Sequence, residues 1–102
     1  MESIMNTQKG VCYLCGMTVP TESHHCLHGT ANRRIAEKEG LKVWLCRNCH
    51  TEVHRNKVWD TSLEQEAQRV WEDNFKKDYP YKNHADEAAR EAFRRLFGKS
   101  YL

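Results

Sequence analysis

A chain of 102 residues, with 29% charged and 39% hydrophobic side chains, has the composition of one small globular domain. So short a chain buries only a modest share of its surface and gains much from an internal cross-link. Five cysteines, two Cys-x-x-Cys pairs and no apolar N-terminal signal favour metal over disulfides and imply an intracellular, cytoplasmic protein. No apolar run approaches a membrane span, and the charge of +2, from 16 Lys+Arg against 14 Asp+Glu, is too balanced to decide on nucleic acid.

In chain order, residues 1–9 are polar and without periodicity, which predicts a mobile or loosely docked lead-in. Cys12-Tyr13-Leu14-Cys15-Gly16 reads as a metal knuckle, the glycine letting the backbone curl so that N–H groups face the sulfurs. Residues 22–27 form a short extended segment carrying His24 and His25, followed by a turn at His28-Gly29-Thr30. Asn32 is placed to cap a helix through Glu39, stopped by Gly40. The β-prone residues 41–45 predict a strand pairing with 22–27, and a helix follows from Arg47 or Asn48 to about Asn56.

Downstream, Asp60, Thr61 and Ser62 are candidate caps of a helix whose Leu63, Ala67, Val70, Trp71 and Phe75 recur at helical spacing. Tyr79-Pro80-Tyr81 breaks it. A last helix over 83–97 carries an apolar stripe of Ala85, Ala88, Ala89, Ala92, Phe93 and Leu96, with Gly98 as its stop. The expected fold class is α+β: a small zinc-stabilised treble clef with a ββα-metal motif and added C-terminal helices. All 102 residues read as one domain, with a metal core over 10–56 and a helical extension over 57–102 packed on it.

Cys12-x2-Cys15 and Cys46-x2-Cys49 present four thiolates from two tight turns, the ligand set of a structural tetrahedral zinc. Cys26 is left over and reads as a small buried apolar residue. His50 and His54 lie four apart on the expected helix, so their imidazoles share one face and can bind one ion. His24 completes that set. Consecutive strand residues face opposite sides, so His24 and His25 can serve one site only where the strand ends or bulges. His24 is then assigned to the metal and His25 to proton abstraction, with His28 in reserve for either role. His84 reads as exposed or as a cap.

This pattern, Cys12-x-x-Cys15, His24-His25, Cys46-x-x-Cys49-His50-x-x-x-His54, resembles the HNH, or ββα-metal, endonucleases on a treble-clef scaffold. Over nearly the whole chain, from the paired histidines and Arg33-Arg34 to the terminal Phe97-Gly98-Lys99-Ser100-Tyr101-Leu102, it is similar to small phage-encoded HNH-like proteins. The resemblance implies a metal-dependent DNA endonuclease in which His25 is the general base and His24, His50 and His54 hold a catalytic metal. It implies a one-metal reaction leaving 5′-phosphate and 3′-hydroxyl ends, in the host cytoplasm if phage-encoded. The chain departs from the family at its middle Asn, where Gly40-Leu41 stand. Asn32, Asn48 or a backbone carbonyl is left to orient the base.

Neutral His25, with an ordinary pKa of about 6.5, suits proton removal from water. Arg33, Arg34 or Arg47 can hold flanking phosphates, because guanidinium matches phosphate geometry. Imidazole ligation fits Zn²⁺, Ni²⁺ or Co²⁺ better than Mg²⁺, with Mn²⁺ also among the candidate ions. The alternative is a non-catalytic, zinc-stabilised module that binds DNA or a protein, possibly in phage recombination.

Overall fold

The computed structural model describes residues 2–102 and has a small α+β architecture. Strands β1 (Thr21–His25) and β2 (Lys42–Cys46) form an antiparallel hairpin whose long connection contains helix α1 (Thr30–Glu39). Helix α2 (Arg47–Arg55) leaves β2 without a loop. It is followed by α3 (Lys57–Lys77), a single 3-10 turn at Lys82–His84 and α4 (Ala85–Phe97). Pairing runs from Thr21 opposite Cys46 to His25 opposite Lys42, which sets His24 across from Val43. Val43, Leu45 and His24 are all buried.

The lead-in is docked rather than loose. Ile4 donates its N–H to Gly40 O at 2.9 Å, Ser3 Oγ donates to Lys42 O, and Trp44 donates its N–H to Thr7 Oγ1 at 3.0 Å. Met5 is fully within the core. The cause is the outer edge of β2, whose backbone groups have no strand partner and are satisfied by this segment. Gly40 ends α1 with φ +76°, and a Cβ there would meet Glu2 O at 2.5 Å, so the close approach of the lead-in needs glycine.

Two helix starts differ from the expected ones. Helix α1 begins at Thr30, after Gly29, while the Asn32 amide faces Phe97 O at 3.4 Å. Helix α3 begins at Lys57 because Asn56 Oδ1 accepts the Val58 N–H at 3.0 Å, so a single residue closes α2 and caps α3. Asp60 therefore sits in the first turn of α3, its side chain free for other work. The expected break at Tyr79–Tyr81 and the stops at Gly40 and Gly98 stand where the sequence places them.

Helices α3 and α4 pack through Leu63, Ala67 and Trp71 against Phe93 and Phe97, with Trp71 meeting Phe93 edge-on at 5.6 Å. These residues belong to the same buried cluster as Leu27, Leu41, Val43, Leu45 and Val53, so the helical extension and the hairpin share one core. Trp71 Nε1 donates to Glu39 Oε1 at 2.8 Å and ties α3 to the end of α1. Among the described residues no helix is long and apolar enough to cross a membrane.

A buried polar knot, invisible in the hydrophobic pattern, fastens the C-terminus. The Gln68 amide, wholly inaccessible, donates to Glu72 Oε2 at 2.7 Å and Ser100 Oγ at 3.0 Å, and accepts the Tyr101 N–H at 2.6 Å. Arg90 Nε donates to the same Glu72 oxygen at 2.8 Å. Replacing Gln68 by Leu strands these groups, and a buried unpaired polar group costs about 1–3 kcal/mol. Urea unfolding of Gln68→Leu is expected to show a loss of that order; an unchanged midpoint contradicts the role of the knot.

Candidate metal centres

The sulfur cluster is built from two turns that wrap their own sulfurs in N–H groups. In the first, Gly16 takes φ +75° and donates its N–H to Cys12 O at 2.9 Å, closing the knuckle. The Cys15 N–H points at Cys12 Sγ at 3.5 Å. In the second, Cys46 is both the last residue of β2 and the N-cap of α2, its Sγ accepting the Cys49 N–H at 3.4 Å. A thiolate thus stands where a cap oxygen is usual, at the positive end of the helix dipole.

All four ligating atoms of Cys12, Cys15, Cys46 and Cys49 lie within 4.8 Å of one another, and Cys15 Sγ is 3.9 Å from Cys46 Sγ. Burial opposes ionisation of Cys12, but the N–H groups of Cys15, Cys46 and Leu14 outweigh it and bring its pKa down to about 6. Burial and then the neighbouring sulfurs push Cys49 the other way. Four thiolates cannot crowd together without a cation, and four sulfurs in two turns match the demands of tetrahedral zinc. These four cysteines could hold a structural metal such as zinc. Cys26 is separate and fully buried, its Sγ 3.6 Å from Met5 Sδ, as expected of a core residue.

The histidines meet on the other side of the β2–α2 junction. His50 and His54, one turn apart on α2, have ring centroids 4.9 Å apart, and His24 from β1 lies 5.3 Å and 5.7 Å from them. Their ligating atoms also fall within 4.8 Å of one another. His24 Nε2 is buried and has no hydrogen-bond partner among the described residues. Burial, reinforced by His50, His28 and His54, lowers the pKa of His24 to about 4, so its ring is neutral at physiological pH. A neutral, desolvated nitrogen facing two other imidazoles is the donor a divalent transition ion takes.

Carboxylates fix the outer rings. His50 Nδ1 lies 2.8 Å from Glu22 Oε1. Hydrogen bonding to His50 holds Glu22 below the usual carboxylate range, so the carboxylate accepts, Nδ1 carries the proton and Nε2 keeps its lone pair. His25 Nε2 lies 2.9 Å from Glu37 Oε1 on α1, while Lys42 Nζ donates to Glu37 Oε2. The Lys42 bond, followed by that of His25, depresses the Glu37 pKa to about 2. His28 Nε2 lies 2.6 Å from Asp60 Oδ1. His84 is exposed and caps nothing with its side chain.

A cleft of about 210 Å³ is lined by Ser23, His24, His25, His28, Arg33, His50 and His54. The difficulty of two consecutive histidines at one site is met because β1 ends at His25, with His24 turned inward and His25 at the rim. Arg33 reaches this cleft; Arg34 is exposed beside it on α1, and Arg47 is an exposed side chain 3.7 Å from Glu22 Oε2. Asn32 faces Phe97 O rather than His25, and the side chain that lies beside the His25 ring is a carboxylate, Glu37. Glu22 was legible as a residue two before His24 on the same strand face, whereas Glu37 and Asp60 carry no signal that separates them from other helix carboxylates. Comparisons with protein-family models, curated proteins and solved structures return no match to this chain.

Structural zinc in small domains contributes about 10–16 kcal/mol, against a total stability of about 5–15 kcal/mol. Chelation is therefore expected to abolish cooperative thermal unfolding followed by circular dichroism, and re-addition of Zn²⁺ to restore it. An unchanged transition after complete metal removal contradicts a structural role for the four cysteines.

Proposed function

We propose that this protein is a metal-dependent endonuclease that hydrolyses DNA phosphodiester bonds, on a treble-clef zinc scaffold with a ββα-metal site of HNH type. The observation that carries the reading is the buried, unpartnered His24 Nε2 facing His50 and His54, beside a base-competent His25 in one cleft. Supporting it is the order of parts: a Cys-x-x-Cys knuckle, a hairpin and a helix whose N-cap and first turn supply the second cysteine pair.

His24, His50 and His54 would hold the ion, and the Glu22 bond to His50 Nδ1 leaves Nε2 as the donor. A divalent ion bound there supplies Lewis-acid stabilisation to a phosphate oxygen and to the departing 3′ oxygen. His25 removes the proton of the attacking water. Because its Nε2–H donates to Glu37, the lone pair available for that proton is on Nδ1. Glu37 acts as a positioning residue, fixing ring orientation and tautomer as the family's middle Asn is expected to do, and Lys42 fixes Glu37 in turn. Arg33, at the cleft, is placed to grip the phosphate flanking the scissile bond, with Arg34 following the strand along α1.

Nicking of supercoiled plasmid, assayed with Mg²⁺, Mn²⁺, Co²⁺, Ni²⁺ and Zn²⁺, tests this reading. Loss of a general base lowers turnover by about 10²–10⁴-fold, and His25→Ala is expected to fall in that range with its sulfur-site zinc retained. Glu37→Ala is expected to lower kcat by at least about tenfold while leaving KM for DNA unchanged, since it touches the base and not the substrate. Equal nicking by wild type and His25→Ala removes the base assignment. No nicking with any metal replaces the enzyme by a zinc-stabilised binding module, for which the exposed Trp59, sharing a pocket with Cys15 and Cys49, offers an apolar contact surface.

A further inference from the structure

Within the same cleft, His24 belongs to a second group of metal-capable side chains that the histidine triad leaves unused. The ligating atoms of His24, His28 and Asp60 also lie within 4.8 Å of one another. They come from three places: β1, the turn before α1, and the first turn of α3. Asp60 meets His28 from the first turn of α3, which starts at Lys57. The His24 and His28 rings stand edge-on, 5.9 Å between centroids.

We propose that His24 is the shared ligand of two alternative positions for a divalent ion: an all-imidazole position with His50 and His54, and a mixed position with His28 and Asp60. The inference rests on the reading that the cleft holds a divalent ion. One lone pair binds one ion at a time, so the two positions exclude each other. In the absence of the ion, His28 and Asp60 satisfy one another through the proton between Nε2 and Oδ1, at 2.6 Å. Ion binding in the mixed position needs the other tautomer of His28: the proton leaves Nε2 and, by exchange through solvent, is carried on Nδ1, so that Nε2 offers its lone pair and Asp60 its carboxylate to the ion. The two atoms then separate toward about 3 Å, the spacing of adjacent ligands that each lie near 2.1 Å from one octahedral ion.

Among the described residues His24 Nε2 has no such substitute partner, and a buried imidazole nitrogen left unpaired is costly wherever no ion is bound. The two positions differ in chemistry. Three neutral imidazoles suit Zn²⁺, Co²⁺ and Ni²⁺, whereas two imidazoles and a carboxylate are the ligand set of harder ions such as Mn²⁺. The mixed position thereby gives a histidine-rich cleft a place for a metal that imidazole alone serves poorly. Glu64, on the next turn of α3, is not within this ligand group; burial, with Asp60 second, raises its pKa.

Direct metal binding tests the proposal without reference to catalysis. The protein is loaded with Zn²⁺ at the cysteines, and Mn²⁺ is titrated by electron paramagnetic resonance into wild type, a His50→Ala/His54→Ala variant and the same variant with Asp60→Asn. Co²⁺ is titrated in parallel, its absorption separating thiolate from imidazole ligation. The double variant is expected to bind one Mn²⁺ per chain, and Asp60→Asn to weaken that binding by at least about tenfold. A His28→Ala/Asp60→Asn variant is expected to retain Co²⁺ in the all-imidazole position. If the double variant binds no Mn²⁺ while wild type binds Co²⁺, the mixed position is overturned and the histidine triad stands. If wild type takes no ion beyond the cysteine zinc, both fail. Unaltered Mn²⁺ affinity on Asp60→Asn also overturns the proposal.

Discussion

The junction of β2 with α2 is the constraint on which the rest depends. Cys46 ends the strand and caps the helix, Cys49 lies in the helix's first turn, and the knuckle sulfurs of Cys12 and Cys15 close around both. With no loop between strand and helix, fixing those two cysteines fixes the direction of α2. His50 and His54 follow immediately on that helix, so the sulfur cluster sets where their imidazoles stand relative to His24 across the hairpin. A metal at the cysteines would thus order a second centre it never touches. For a chain of this size, whose core is completed by helices from its other half, such a staple is also the simplest source of stability.

Around the histidines the polar arrangement is systematic. Glu22, Glu37 and Asp60 each pair with one ring nitrogen, of His50, His25 and His28 respectively, while His24 Nε2 has none among the described residues. For His50 and His25, a carboxylate on one ring nitrogen leaves the lone pair on the other, because a carboxylate only accepts and so dictates the tautomer, whereas Asp60 stands with His28 in a group of its own beside His24. Of the two adjacent histidines, His24 is turned into the core and His25 stands at the rim of the cleft that Arg33 also lines, because β1 stops at His25.

Much of this was legible in the residues. Cys-x-x-Cys spacing, the four-residue step from His50 to His54, and glycine stops at Gly40 and Gly98 are local signals, and the hairpin, α2 and the ends of α1 and α4 follow them. What escaped is non-local. The docking of Met5 depends on an unpaired strand edge, and the Gln68 knot depends on a C-terminal tail folding back over α3. Asp60 looked like a cap because Asp-Thr-Ser is a strong helix-start signal. Asn56, already closing α2, captured that role four residues before Asp60, so Asp60 became a side chain directed at His28. Glu37 meets His25 through a contact between α1 and the end of β1 that no sequence spacing encodes.

In the function proposed, one small chain holds two metal centres of different chemistry, coupled through the β2–α2 junction. Cadmium substitution followed by cadmium NMR examines both at once, because thiolate and imidazole ligation shift the resonance to well-separated regions. The account predicts two signals of equal intensity, one from four sulfurs and one from nitrogen and oxygen donors, the second lost in His24→Ala while the first persists. A single thiolate signal at saturating cadmium, unchanged by His24→Ala, would contradict it.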